Sequence, residues 1–450
     1  MTIRVLLLPI LLCASTALAF GQEPGAAAPR VITLREALEL ASQNNHRVRM
    51  SRSTVDEKQR AKDVAKSGYF PVVRTDSSFM HVTDTQLIEI PAGGLGQVGS
   101  NLIPPNPLII NQGALTTTTF GTGVSQPLTQ LLKVRAANDI ASAEVRAAAG
   151  QARQVENSIA LSVHQIYYRI LIAEMRRGAL QATIRASEDL QSERVQQVKY
   201  GSALDADLIE SRAQSLQAKQ ELLSTELQLS DLHMRFNDVI GLPLATAVTL
   251  DPNVAAAAPE SCARDECVKL ALDSHPEITE ARAEVERAAS AIRLAKLDFV
   301  PDVDVFARYS HQNNVPFLAP NFGTFGVRLS YDLFAGGRKR ATVRARDAQL
   351  AKAKENLARI SEDVELRVQT AYNKLERTRQ MIAVSEELLA LRAESRRMTV
   401  EQVGYGSALR SQSLASVAQE LDAKAVLLQS KLDYVQAAAE MDEALGRTPR

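Results

Sequence analysis

The sequence predicts a mainly α-helical protein built as two tandem repeats, each of which also contains a pair of β-strands. Three observations predict this class. The pentapeptide Tyr-Gly-Ser-Ala-Leu occurs twice, 205 residues apart; a long stretch of coiled-coil spacing precedes each copy; and an alternation of apolar and polar residues precedes each stretch. Self-similarity at a fixed offset is the signature of an internal duplication. The two copies comprise Tyr200, Gly201, Ser202, Ala203 and Leu204, and Tyr405, Gly406, Ser407, Ala408 and Leu409.

The surroundings of the pentapeptide keep the same offset, which distinguishes a duplication from a chance match. Phe120-Gly121 and Phe325-Gly326 are also 205 residues apart. Further upstream the offset is 230, because the first copy contains 25 additional residues between about 81 and 117. We interpret these additional residues as an extended outer loop. The chain is therefore divided into a signal peptide (1–19), a first repeat (20–241), a linker (242–262) and a second repeat (263–450).

The first residues predict export from the cytoplasm. Arg4 precedes an apolar run, and Ala17-Leu18-Ala19 has the small residues that signal-peptide cleavage requires. After this segment no run of about 18 apolar residues occurs, so any membrane crossing is expected to use strands. The 52 basic residues balance the 52 acidic residues, which argues against nucleic acid as a partner.

The sequence predicts neither an enzyme nor a cofactor. Gly94, Gly96 and Gly99 have the spacing of a dinucleotide-binding loop, but prolines follow where a helix would have to begin. The six histidines are scattered, and no nucleophile and base occur at a catalytic spacing. Cys262 and Cys267 either form a local disulfide in an oxidising compartment or remain as two unpaired or packed thiols, and metal ligands are not found near them.

Each repeat is predicted to begin with a helix of some thirty residues. In the first repeat, Thr33 and Glu36 have the spacing of a capping box, and apolar residues follow at helical spacing to about Gly68. In the second repeat Ala263 replaces Thr33, so a weaker cap is expected, and the helix should end near Asp298.

A pair of strands is predicted to follow a proline in each repeat. Pro71 and Pro301 end the helical pattern, and a period of two replaces it. Apolar residues towards lipid and polar residues towards a wet lumen are typical of a transmembrane β-barrel, although a half-buried soluble hairpin alternates in the same way. The apolar face in the second repeat comprises Val303, Val305, Ala307 and Tyr309, then Phe325, Val327, Leu329, Tyr331 and Leu333.

Very long helices are predicted for residues 133–199 and 338–403, each on the order of 100 Å in length. Their apolar residues recur every three, four or seven positions, as in a coiled coil. Helical patterning stops at each pentapeptide and then resumes, so the pentapeptide is predicted to be the tip of a helical hairpin with glycine in the turn. The apolar stripe of the second long helix comprises Leu350, Leu357, Ile360, Val364, Val368, Ala371, Leu375, Ile382 and Leu389.

Two strands in each repeat give four strands per chain, which are too few to close a barrel. An open sheet edge in lipid leaves unpaired backbone groups that cost several kcal/mol each. Two chains would give eight strands around a filled interior, whereas three would give twelve with room for a pore. The predicted fold is therefore mainly α with membrane β: a homotrimer whose shared twelve-stranded β-barrel continues into a long α-helical coiled-coil barrel.

Four motifs occur in a fixed order over nearly the whole mature chain: ITLREAL at 32–38, LDSHP at 272–276, LFAGGR at 333–338, and YGSAL at both tips. In these motifs the chain resembles the TolC-type outer-membrane efflux proteins. The resemblance implies an exit duct in the outer membrane with a periplasmic helical domain, which works with a periplasmic adaptor and an inner-membrane transporter in efflux or type I secretion. It implies no catalysis, and it assigns the two hairpin tips to the periplasmic entrance, where the adaptor docks.

The chain departs from the family pattern beyond the tips. Family members often have acidic residues after the second tip, where Arg410 stands here, whereas Asp205 and Asp207 follow the first tip. One hypothesis is that Asp205 or Asp207 forms a cation-attracting ring in the trimer and that Arg410 of a neighbouring hairpin pairs with it to close the entrance. The alternative is that these acids only stabilise the first turn of a helix through its dipole.

A trimeric coiled-coil surface adhesin or structural envelope protein is the alternative function for the whole chain. Long helices alone would fit such a protein. A duplicated unit of strand pair and hairpin tip is not explained by it, and the transported substrate cannot be predicted from the sequence.

Overall fold

The computed structural model describes residues 30–84, 87–111, 115–202, 204–252, 262–315, 319–407 and 410–449. The predicted signal peptide lies outside the described residues. The first repeat contains, in order, β1 (Arg30–Ile32), α1 (Leu34–Asn44), α2 (His46–Ser67), β2 (Val72–His81), β3 (Leu87–Ile90), β4 (Gln97–Val98), β5 (Asn101–Leu102), β6 (Leu108–Asn111), β7 (Thr116–Pro127), α3 (Leu128–Lys199) and α4 (Asp205–Ile240).

The second repeat has the same order of helices and main strands. Strand β8 (Val248–Leu250) precedes it and pairs in parallel with β1. The sequence predicts only a linker for this stretch, because three residues are too few to show a periodicity. The remaining elements are α5 (Arg264–Ser274), α6 (Pro276–Leu297), β9 (Asp302–Asn313), β10 (Asn321–Ser330), α7 (Arg338–Gly404) and α8 (Arg410–Ala444).

The helix predicted at the start of each repeat is in fact two helices, which meet at Asn45 and at His275. Thr33 caps α1 as expected, since its Oγ1 accepts the N–H of Glu36 at 3.3 Å, and Ala263 provides no side-chain cap to α5. Asn45 and His275 both have an extended backbone, with ψ of 124° and 133°. Each ends one helix and caps the next, so the single thirty-residue helix was a wrong prediction.

The caps at the two junctions explain the break. Asn45 Oδ1 accepts the N–H of Arg47 at 2.9 Å, and Asn45 Nδ2 donates to the carbonyl of Val239 at 2.9 Å. In the second repeat, His275 Nδ1 accepts the N–H of Glu277 at 3.2 Å. Pro276 also disfavours a helical conformation at His275.

The four long strands form one antiparallel sheet in the order β10, β9, β7, β2. The register places Phe325 opposite Ala307 and Val327 opposite Val305, so the predicted apolar faces of β9 and β10 form one surface. Leu333 lies beyond the end of β10 and is 92% exposed. The apolar face of this sheet is thus uncovered within a single chain.

The additional residues of the first repeat form two small antiparallel ribbons rather than an irregular loop. Strand β3 pairs with β6, and β4 pairs with β5 inside that ribbon. Among the described residues from 87 to 132, Glu89 is the one charged residue.

The long helices carry the main packing contacts. Helix α3 packs against α2, α4, α6 and α8, and α7 packs against α5, α6 and α8. Every residue of the stripe predicted for α7 is buried or half-buried, which confirms the coiled-coil pattern. None of the helices within the described residues is both long and apolar enough to span a membrane.

Two apolar clusters lie where the short helices meet the long ones. The cluster of the first repeat includes Tyr167 and Phe236, and that of the second includes Val364 and Val368. Cys262 and Cys267 form a disulfide beside the second cluster, with their Cα atoms 5.7 Å apart. Of the two alternatives predicted from the sequence, the structure shows the local disulfide and not two separate thiols.

Replacing Tyr167 with phenylalanine should destabilise the first cluster by about 1 to 3 kcal/mol. The buried hydroxyl of Tyr167 donates towards the carbonyls of Asp251 at 2.8 Å and Ile32 at 3.2 Å, and it joins the β1 and β8 ends to α3. Tyr168→Phe is the matched control, because its buried hydroxyl has no hydrogen-bond partner among the described residues. The free energy of unfolding of both variants is measured by denaturant unfolding in detergent, monitored by circular dichroism. Equal losses of stability in the two variants would contradict the role assigned to the Tyr167 hydroxyl.

Replacing His275 with asparagine, the residue at the equivalent position of the first repeat, should reduce the pH dependence of stability. Burial lowers the pKa of His275 below its ordinary value of 6.5, outweighing the attraction of Glu277, while Arg367 lowers it further and a bond to the Glu443 backbone raises it. The unfolded chain then binds more protons, so stability falls as the pH decreases through 6.5.

Three described histidines, His164, His233 and His275, have pKa values lowered by burial. Asparagine keeps the capping acceptor and removes one titrating group, so the fall in melting temperature between about pH 7.5 and 5.5 should become smaller. His46→Asn is the control, because His46 is exposed. An unchanged pH dependence in His275→Asn would exclude this contribution.

Candidate functional site

The two hairpin tips have the same backbone geometry. Gly201 and Gly406 both have a φ of 73°, in the left-handed region that favours glycine. The N–H of Ser202 donates to the carbonyl of Gln197 at 2.8 Å, and that of Ser407 donates to Gln402 at 2.9 Å. These bonds, together with those of the two glycine N–H groups, form a Schellman motif at the ends of α3 and α7.

The serine side chains complete the turns. Ser202 Oγ donates to the Gln197 carbonyl at 3.0 Å, and Ser407 Oγ donates to the Gln402 carbonyl at 3.0 Å. Both carbonyls belong to the last turn of a helix and have no partner within it. The repetition of glycine and serine in the pentapeptide is therefore explained by the turn itself.

The turn does not explain the repeated tyrosine. Tyr200 is 78% exposed and Tyr405 is 88% exposed, and neither side chain has a hydrogen-bond partner among the described residues. Leu204 is 71% exposed. Exposed aromatic and apolar side chains at a protruding tip are typical of a binding surface. Ala203, Ala408 and Leu409 lie outside the described residues.

The charged residues beyond the tips occupy the first turns of the returning helices. Asp207 Oδ2 accepts the N–H of Leu204 at 3.1 Å, so this carboxylate caps α4. Asp205 is the first residue of α4, and Arg410, at the equivalent position 205 residues later, is the first residue of α8. The side chain of Arg410 lies outside the described residues. The two returning helices thus begin with opposite charges at the same repeat position.

The outer edges of the helical layer carry uncovered apolar stripes that are not among the features predicted from the sequence. Helix α4 packs on α3, α3 on α8 and α8 on α7. Towards the tips, beyond the part of α7 that contacts α5 and α6 through Arg367 and Asn373, α4 and α7 are therefore at the two edges. Each edge exposes apolar residues seven positions apart, the spacing that buries a seam against another helix. These residues are Ile209, Leu216 and Leu223 on α4, and Val384, Leu391 and Met398 on α7.

The polar face of the sheet contains an ion pair that joins the two repeats. The two terminal guanidinium nitrogens of Arg308 donate to the carboxylate of Asp76, at 2.8 and 2.6 Å, although 232 residues separate the two. Strand β7 lies between them, and the guanidinium passes over Gly121, where a Cβ atom would clash with it. Sequence alternation identifies this face as polar but not the pairing across β7.

Two buried groups with strongly shifted pKa values, His164 and Tyr168, belong to the helical packing rather than to a catalytic site. Burial lowers the pKa of His164 to about 4 and raises that of Tyr168, and both side chains lie fully inside the helical packing. Within the described part of the chain, no group of three His, Cys, Asp or Glu residues could hold a metal ion.

Solved structures share this fold over most of the chain. The outer membrane protein VceC from Vibrio cholerae matches with a TM-score of 0.74 at 16% identity, covering 93% of this chain and 97% of that chain. The CmeC outer membrane channel of Campylobacter jejuni matches at 0.73 and 12% identity, over 92% and 85% of the two chains. The open state of the Neisseria gonorrhoeae MtrE outer membrane channel matches at 0.70 and 14%, over 93% and 89%.

No curated protein sequence matches the chain significantly. The sequence pattern of a protein family, however, does match it. The family described as outer membrane efflux protein matches residues 37–236 and 267–447, one segment in each repeat. The match does not favour the adhesin alternative. The chain therefore belongs to the outer membrane efflux protein family and is an efflux channel protein of the outer membrane rather than an enzyme.

Proposed function

We propose that the chain forms a homotrimeric exit duct of a tripartite efflux pump or type I secretion system. Substrates would pass passively from an inner-membrane transporter and a periplasmic adaptor, through a periplasmic helical tunnel, across the outer membrane. The observation that carries this proposal is the four-stranded sheet. Its apolar face is uncovered, and its outer strands β2 and β10 each have one edge that no described residue pairs with. A sheet with open edges is not stable in lipid unless other chains complete it.

Three copies of the chain would complete both the β-sheet and the layer of long helices. Twelve strands would close a shared barrel with room for a pore, and outer-membrane lipid would cover its apolar face. Below the membrane, the exposed stripe of α4 would pack against that of α7 from the next copy, so a ring of three would bury all the stripes. A ring of three chains would therefore form a closed tube both within the membrane and in the helical region below it.

The mass of the detergent-extracted protein and its conductance in a planar bilayer test the proposal. Light scattering corrected for bound detergent should give a protein mass three times that of the mature chain. The same preparation should conduct ions in a bilayer of neutral lipid. A monomer that remains stable in detergent and does not conduct would contradict the shared barrel.

The tips would provide the docking points for the adaptor. Two tips per chain give six quasi-equivalent tips around the entrance of a trimer. Tyr200, Leu204 and Tyr405 support this assignment because they are exposed without a structural role in the turn. No cofactor is required, since passive conduction involves no bond breaking.

We propose further that Asp205 and Arg410 close the entrance by pairing between neighbouring hairpins. Because the two residues occupy equivalent positions in the two repeats, acidic and basic groups would alternate around the entrance of the trimer. Asp205 is favoured over Asp207, because the latter carboxylate already caps α4. The MtrE structure is that of an open state, and this supports the existence of a closed one in such channels.

Arg410→Ala should therefore increase single-channel conductance several-fold, as should Asp205→Asn, because either change leaves one charge unpaired and repelled by its symmetry mates. The exchanged variant, Asp205→Arg with Arg410→Asp, should return the conductance towards that of the original protein. Asp207→Asn is the control for a change in local charge. If the exchanged variant conducts as freely as the single variants, the pairing is excluded.

A further inference from the structure

A dense basic segment opens helix α7. Five basic residues and no acidic residue occur between 338 and 346, whereas the equivalent stretch of the first repeat, 133–141, has two basic residues and one acidic residue. The duplicated architecture therefore does not require this charge. The five residues, which we call the basic segment, are Arg338, Lys339, Arg340, Arg344 and Arg346.

Intramolecular electrostatics explains only part of the basic segment among the described residues. The first turn of a helix favours acidic residues, because unpaired N–H groups give it a partial positive charge, and α7 has no acidic residue there. Arg338 contacts Asp332 at 3.6 Å. Arg340 and Arg344, one turn apart on α7, are exposed and have no ion-pair partner among the described residues. Their charges are thus available to an external anion.

The basic segment lies directly below the uncovered apolar face of the sheet. The odd-numbered apolar residues of β10 continue past its end to Tyr331 and Leu333, and the adjacent Phe334 is 89% exposed. Lys339 connects the two regions, since its Nζ lies 4.6 Å from the centre of the Tyr331 ring. Aromatic and basic side chains at the end of a lipid-facing surface are typical of the level of the lipid head groups.

We propose that the basic segment binds the phosphate groups of anionic phospholipids in the periplasm-facing leaflet of the outer membrane. The proposal rests on the membrane placement of the sheet given above. Guanidinium groups bind phosphate oxygens through two parallel hydrogen bonds, and clustered basic residues beside a membrane attract anionic lipid. Tyr331, Leu333 and Phe334 would lie at the boundary of the acyl chains and hold the segment at that depth.

The test compares lipid binding by the purified full-length protein in nanodiscs that contain equal amounts of phosphatidylglycerol and phosphatidylcholine. Lipids that remain bound after release from the disc are counted by native mass spectrometry. We expect phosphatidylglycerol to be enriched, and the enrichment to decrease between about 0.1 M and 1 M salt, because higher salt screens the attraction.

The double variant Arg340→Gln with Arg344→Gln should lose on the order of tenfold in this preference. The matched control is Lys352→Gln with Lys354→Gln, which removes two exposed charges from the same helix roughly 15 Å further from the membrane. The control should keep the preference of the original protein. Equal enrichment in the double variant and the original protein would overturn the proposal.

Two further outcomes are distinguishable. If the double variant loses its trimeric mass in light scattering, the basic segment contacts another copy of the chain and the lipid proposal is wrong. If the original protein does not enter nanodiscs even of pure phosphatidylcholine, the membrane placement itself fails. Insertion with normal conductance but no preference for phosphatidylglycerol rejects only the lipid site.

Discussion

Replacing both Tyr200 and Tyr405 with alanine should abolish export while leaving the trimer and its bilayer conductance intact. Each ring is exposed at a protruding turn, and the hydrogen bonds of the turn involve the glycine and serine instead. Buried tyrosines at the centre of an interface typically contribute about 2 kcal/mol or more to binding. Because six tips would act together, loss of the aromatic rings should prevent stable docking of the adaptor.

Export is measured in the native host after deletion of the chromosomal copy, with the variant supplied in its place. The readout is the accumulation of a dye or drug that the original protein is first shown to export. Chemical cross-linking to the adaptor encoded in the same host reports docking directly. Ser202→Ala with Ser407→Ala is the matched control at the same tips, since it removes only the serine bonds to exposed carbonyls. Normal export and cross-linking in the double tyrosine variant, at normal levels in the membrane, would reject docking through these rings.

Alanine at Gly241 or Gly446 should destabilise the protein by about 3 kcal/mol or more, whereas alanine at Gly201 or Gly406 should cost only about 1 kcal/mol. All four glycines have a φ between 73° and 76°, so the backbone strain is the same at each. They differ in their surroundings, because the glycines at the base of the helices contact the junctions between the short helices and those at the tips face open space.

The contacts at the base involve atoms that cannot move away. A Cβ atom at Gly446 would lie 2.7 Å from Pro276 Cδ and 2.8 Å from His275 Cα, and one at Gly241 would lie 2.5 Å from Asn44 Cβ. The clash would separate α8 or α4 from the capped junction that it supports. Denaturant unfolding in detergent compares the four single variants. Equal losses at base and tip would mean that strain alone determines the effect.

Local interactions made much of the fold predictable from the sequence. The tips were identifiable because glycine and serine satisfy carbonyls only five residues away, so the turn needs no distant partner. The strand faces followed from an alternation of period two, and the α7 stripe from coiled-coil spacing. These patterns depend on the geometry of the element that contains them, and the structure confirms them.

The missed features depend on contacts between distant segments. The helix break at Asn45 relies on a bond to Val239, 194 residues away, and in the first repeat no proline signals it. The pairing of β1 with β8 joins the start of the first repeat to the linker. At the candidate site, repetition identified the whole pentapeptide, but only the turn geometry separates the structural glycine and serine from the exposed tyrosine.

The sequence by itself determined the duplication, the order of the long helices and main strands, and the family, because each is encoded in periodicity and spacing along the chain. The tertiary structure decided which surfaces remain uncovered: the apolar sheet face, the stripes on α4 and α7, and the basic segment below β10. It also decided that Arg308 reaches Asp76 across Gly121. Exposure and pairing of this kind depend on which segments pack together, and packing is a property of the folded chain as a whole.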